Sequence, residues 1–104
     1  MHAVKKIEII ASALELPKIL EGLNQSGVRG HAVIHNVTGQ SLQEGREDFD
    51  MTMLDNSVYI IAFCMPEQIK PVVEHIRPLL NKFGGTCYLS DVTEIRSINC
   101  VASL

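Results

Sequence analysis

The sequence predicts an α+β domain of order βαββαβ, and three observations carry that expectation. In the first half, two apolar stretches, residues 4–11 and 32–37, flank an amphipathic helical stretch. The second half repeats the plan with residues 57–65, a helical stretch ending at Phe83, and a closing stretch at 86–92. Between the halves lies TGQSLQEGREDFDMTMLDN, residues 38–56, too polar and too rich in Gly, Asp and Glu to bury. Most connections in compact domains run to only about 4–6 residues. So long a polar segment is expected to carry function, and to be largely disordered in the free chain.

The first strand begins with polar–apolar alternation, Lys5-Lys6-Ile7-Glu8, and ends in the apolar pair Ile9-Ile10. That pattern suits a central strand with helices on one face and partial cover on the other. The first helix is expected to start near Leu16, with Pro17 in the first turn, where a missing N–H costs the helix nothing. Ile19, Leu20 and Leu23 give it an apolar face, and Ser26-Gly27 ends it. The second helix carries Ile69, Val72, Val73, Ile76, Leu79 and Leu80 on one stripe. Pro78 is expected to kink its last turn, and Gly84-Gly85 to stop it. Two β–α–β units in series, with helices on one face of an antiparallel sheet, make the ferredoxin-like split βαβ arrangement. Ile60 to Phe63 are apolar at every position, so the face away from the helices has apolar area to bury. A symmetric oligomer disposes of it.

Composition narrows the function classes. A chain of 104 residues is one domain, 1–104, with residues 97–104 as a C-terminal tail. The net charge of −3 and the absence of a basic run longer than Lys5-Lys6 argue against nucleic acid as a partner. No apolar run approaches the roughly 20 residues of a membrane helix, and MHAVKK passes straight into a strand without a signal-peptide pattern. The expectation is a cytoplasmic protein with no direct membrane insertion. Cys64 and Cys87 fall in strand stretches and read as buried structural thiols, whereas Cys100 lies in the tail. No Cys/His spacing suggests zinc. His31 and His35, four apart in one strand, are a weak metal signal, so no metal is expected. His2 and His75 are expected at the surface. No GxSxG, HExxH, P-loop or Cys–His pattern supports catalysis, which predicts a protein that is not an enzyme.

The sequence resembles the PII-type signalling proteins. VKKIEIIA, SGVRGHAVI, SVYIIAFCMP and YLSDVTEIRS carry the resemblance, in the family's order and spacing, from Val4 to Ser97. It implies a homotrimer with an adenine nucleotide in each cleft between subunits and a long "T-loop" at residues 38–56 that contacts a regulated protein. Carried over by position, Gly39, Gln40 and Ser41 form the T-loop root. Gly84, Gly85 and Thr86 form a "B-loop", Arg96 reaches a phosphate, Gly30, His31 and Ala32 border the adenine, and Phe63 stands opposite. Glycines allow backbone N–H groups close to phosphate oxygens, and arginine offers a matching fork.

Several positions depart from the family pattern. Thr86 stands where the B-loop usually has a lysine, Ala32 where a threonine lines the adenine, and Arg96 is alone where a pair of arginines is usual. No tyrosine occurs between Thr38 and Asn56, and 2-oxoglutarate binding does not transfer. With fewer cations for a triphosphate, ADP or AMP is expected over ATP, with bicarbonate a further candidate ligand. The pattern is closer to PII-like proteins associated with bicarbonate transport and carboxysomes than to ammonium regulators. Phe49, Met51 and Met53 are apolar residues on a polar segment and are the expected contacts for a partner such as a transporter. The alternatives are a structural trimer similar to metal-tolerance proteins of this fold, or a module that binds only protein.

Overall fold

The computed structural model describes residues 1–38 and 56–96. Residues 39–55 and 97–104 lie outside the description, and with them Gly39, Gln40, Ser41, Phe49, Met51, Met53 and Cys100. Strands β1 (His2–Ser12), β2 (His31–Val37), β3 (Ser57–Cys64) and β4 (Thr86–Glu94) alternate with helices α1 (Leu16–Gln25) and α2 (Ile69–Phe83). The sheet order is β2-β3-β1-β4, and every neighbouring pair is antiparallel. This is the expected ferredoxin-like βαββαβ topology.

The strand β1 sits at the centre because its sequence suits two neighbours. Ile7 and Ile9 are fully buried toward the helices, with Ala11 beside them. Their register partners carry the same layer into β3, where Ala62 lies opposite Ile7, Ile60 opposite Ile9, and Val58 opposite Ala11. Ile19 and Leu23 of α1 and Val72 and Ile76 of α2 close that layer from above. Each fully buried aliphatic side chain of this kind contributes about 1.5–3 kcal/mol through removal from water.

The helix ends follow from local chemistry. Ser12 accepts a hydrogen bond from the Leu14 amide and opens a short 3-10 turn that leads into α1, where Pro17 occupies the first turn. Gln68 does similar work before α2, accepting from the Met65 amide at 2.8 Å while its amide nitrogen donates to the Gly27 carbonyl at 2.9 Å. Pro71 falls in the first turn of α2, so it removes no helical donor. The helix continues through Pro78 to Phe83, where the sequence places its end.

Four of the predicted strand ends move outward, the start of β2 by one residue to His31. Strand β1 starts at His2 and ends at Ser12, and β4 continues past Val92 to Glu94, because His2 to Val4 pair with Glu94 to Val92. Strand β3 ends one residue early, at Cys64. His75 corrects the expectation of surface exposure: it is half-buried between the helices. Its Nδ1 lies 2.8 Å from the Pro71 carbonyl and 3.1 Å from the Ser26 hydroxyl. His2 is exposed, as expected.

Candidate functional site

The sheet has two faces of different character. Beneath the helices it is closed, whereas the other face presents Ile10, Tyr59, Ile61 and Phe63 half-buried, with Ile34 56% and Tyr88 60% exposed. Glu8 and Lys6 stand on that same face. The Tyr59 hydroxyl donates to the Glu8 carboxylate, and Lys6 Nζ lies 3.7 Å from the other Glu8 oxygen. The hydrogen bond to Glu8, followed by burial and the Glu8 charge, pushes the Tyr59 phenol above its ordinary pKa. An apolar face of this kind, seeded with one paired carboxylate and lysine, is built to meet another surface.

The glycine turn between α2 and β4 has a clear local cause. Gly84 and Gly85 both have positive φ, +87° and +111°. A Cβ on Gly85 would lie 2.8 Å from the Ile10 carbonyl oxygen, so the turn can press against β1 only without a side chain. Around Gly84 there is open space, and its amide closes α2 by donating to the Leu80 carbonyl at 2.9 Å. Gly85 therefore has a packing role, and Gly84 is the one with room beside it.

The candidate nucleotide residues occupy separate parts of a single chain. Gly30, His31 and Ala32 lead into β2 at one edge of the sheet, with Phe63 beside them on β3. Gly84, Gly85 and Thr86 lead into β4 at the opposite edge, with β3 and β1 between. At strand spacings of about 4.8 Å, three steps separate the two edges by roughly 14 Å. Arg96 lies beyond the far end of β4. Ten residues at about 3.3 Å each put it some 30 Å from Thr86. It is exposed and its Nε pairs with Glu94. Thr38 and Asn56, which bound the undescribed segment, lie at the strand end where β1 finishes. There the Asn56 carbonyl accepts from the Ala13 amide at 2.9 Å. Gly84–Thr86 share that end, because Thr86 pairs with Ile10.

His31 lies in the regularly paired part of β2 and His35 beyond it, and both are exposed. A register irregularity falls between Ile34 and Val37, and Asn36 takes a positive φ of 58°. No group of three metal-ligating side chains occurs among the described residues. Cys64 is buried and Cys87 half-buried, and burial raises both thiol pKa values. Neither has the lowered pKa of a reactive cysteine. No described helix is long and apolar enough to cross a membrane.

One cluster escaped the sequence reading. Lys18 Nζ of α1 lies 4.1 Å and Lys82 Nζ of α2 lies 5.2 Å from the centre of the Phe83 ring. The available signal was a lysine and an aromatic residue immediately before the glycine pair. The partnership of Lys18 with Phe83 depends on tertiary packing and leaves no periodic trace.

A four-stranded antiparallel sheet under two helices, with a glycine turn and a long polar insertion at the same end, defines a ferredoxin-like domain. The chain belongs to the nitrogen regulatory protein P-II family, whose model it matches over residues 4–99. Its fold is similar to that of CPII, a nitrogen regulatory PII-like protein from Thiomonas intermedia K12. In complex with ADP, AMP and bicarbonate, CPII matches with a TM-score of 0.77 and 24% identity over 93% of this chain and 98% of that one. The same protein bound to ADP, AMP and acetate matches with a TM-score of 0.76 and 25% identity, covering 91% of each chain. Its apo form gives a TM-score of 0.71 and 25% identity over 88% of this chain and 90% of that one. No curated protein matches this chain in sequence.

Proposed function

We propose that this protein is a PII-like sensor of adenine nucleotides that acts as a cytoplasmic homotrimer and regulates a partner protein. The observation that carries the proposal is the division of its candidate nucleotide residues between opposite edges of one sheet. Gly30–Ala32 with Phe63 on one edge and Gly84–Thr86 on the other form a single pocket only when the β2 edge of one copy meets the β4 edge of another. Closing three copies in that way also covers the apolar open face, which is costly to leave in water. The ADP and AMP bound to CPII support the nucleotide class. The glycine turn carries no cation of its own, with Thr86 in it, and Arg96 at the far end of β4 can reach its phosphates only from another copy, so a di- or monophosphate is favoured. The bicarbonate bound to CPII supports that anion as a second ligand.

The regulatory output in this reading passes through residues 38–56, with Phe49, Met51 and Met53 as the partner contacts. The partner is a transporter, with bicarbonate or another small anion as its cargo. Nucleotide changes the output only to the extent that it binds one arrangement of that segment more tightly than another. Titration calorimetry with ADP, AMP and ATP on the full chain, with and without bicarbonate, tests the reading. The expected result is binding of ADP and AMP with weaker ATP, and light scattering that gives three times the 11.5 kDa chain mass. No heat from any nucleotide would leave a module that binds only protein.

A further inference from the structure

We infer that Lys82 supplies the cation that the glycine turn itself lacks, making it a specificity-determining residue for the nucleotide's phosphates; this rests on the nucleotide reading above. Three observations converge on it. The turn Gly84-Gly85-Thr86 contains no charged side chain, yet Gly84 has open space where a Cβ would be. The turn directly follows the C-terminus of α2, where the helix dipole places partial negative charge and so disfavours an anion unless a cation stands nearby. Lys82 is the only basic residue in the last turn of that helix, two positions before Gly84.

The state of Lys82 suits such a role better than that of Lys18. Lys18 Nζ is engaged by Glu15 Oε2 at 3.4 Å as well as by the Phe83 ring. Among the described residues no carboxylate lies within ion-pair distance of Lys82, and its ammonium group rests only over the Phe83 ring. An exposed cation–π contact of this sort is weak. It occupies the ammonium without neutralising it. A phosphate oxygen offers a stronger, charge-assisted hydrogen bond, enough to draw the side chain off the ring. In this arrangement Phe83 is the resting platform for Lys82, and the diphosphate is what recruits it.

The bland alternative is that Lys82 only offsets the helix dipole. Calorimetry of Lys82→Gln with ADP and with adenosine separates the two. Lys82→Gln is expected to weaken ADP at least tenfold while adenosine affinity stays unchanged. Lys70→Gln, at the opposite end of α2, should affect neither. Phe83→Leu removes the platform and leaves the lysine, so it should change ADP affinity by less than threefold. Wild-type ADP binding that Lys82→Gln leaves intact would overturn the assignment of Lys82 alone, and so would an equal loss of ADP and adenosine. Absence of ADP binding by the wild-type protein would overturn both this inference and the nucleotide reading.

Discussion

Gly85 lies so close to the Ile10 carbonyl oxygen that an added Cβ would approach it to 2.8 Å, whereas its neighbour Gly84 has nothing within 4 Å. The obstruction at Gly85 is backbone, which cannot rotate aside, and Ala11 Cβ and Leu80 Cδ2 crowd the same position at 3.2 Å. Both residues have positive φ, so alanine at either position is strained by about 1–3 kcal/mol. Only Gly85 adds a steric conflict. Urea denaturation of the two variants should therefore show Gly85→Ala as the more destabilised by at least about 1 kcal/mol. Equal losses would mean that the turn relaxes away from β1.

A polar clasp between the helices gives a second prediction. The Ser26 hydroxyl is buried and donates to the Gly22 carbonyl at 2.7 Å. Nδ1–H of His75 then points at the Pro71 carbonyl, with the Ser26 oxygen as a second acceptor 3.1 Å away. Ser26→Ala removes one donor and one acceptor but leaves His75 paired with Pro71, so it should cost about 0.5–1.5 kcal/mol. In a double-mutant cycle with His75→Ala the two losses should fail to add, because the residues share a network. Strict additivity would show that the Ser26–His75 contact contributes nothing.

Tyr59 makes stability depend on alkaline pH. Its folded-state pKa is raised, chiefly by the hydrogen bond it donates to Glu8. A raised pKa means that this stabilisation is fully present below the phenol's unfolded value, near pH 10, and is lost as pH rises through the folded value. Tyr59→Phe removes the donor, so the variant should be less stable than wild type at neutral pH. The gap should narrow above about pH 10, where the wild-type hydrogen bond is also lost. Thermal melts of both proteins from neutral to alkaline pH measure this. A constant gap across that range would assign the effect to packing of the ring.

Most of the fold was legible in the sequence because each element carries a local signature. Leu16-Pro17 marks the start of α1, Gly84-Gly85 marks the end of α2, and the apolar run Ile60 to Phe63 marks a strand apolar on both faces. The misplaced details share a physical cause. His75 looked like a surface residue because its partners, Ser26 and Pro71, include a side chain 49 positions away. The extension of β1 to His2 depends on pairing with Glu94, which is more remote still in sequence. The candidate pocket was legible only as residue types. Its division between two sheet edges is a property of strand order, which no local pattern encodes.

The two faces of the sheet make adjacent residues of β3 respond in opposite ways. Ile60 is fully buried beneath the helices, while Ile61 is half-buried on the open face. Ile60→Ala opens a cavity in the protomer's own core and should cost about 2–5 kcal/mol of folding stability. Ile61→Glu leaves that core intact and places a charge on the face that the proposed trimer covers. A carboxylate there stands directly opposite Glu8 and loses its hydration on assembly, so the assembled state should be disfavoured while the fold persists. Circular dichroism of Ile61→Glu should match wild type, light scattering should give the monomer mass, and calorimetry should show the loss of ADP binding, because each pocket needs two copies. A monomeric Ile61→Glu that still bound ADP with wild-type affinity would place the whole site within one chain and refute the shared pocket.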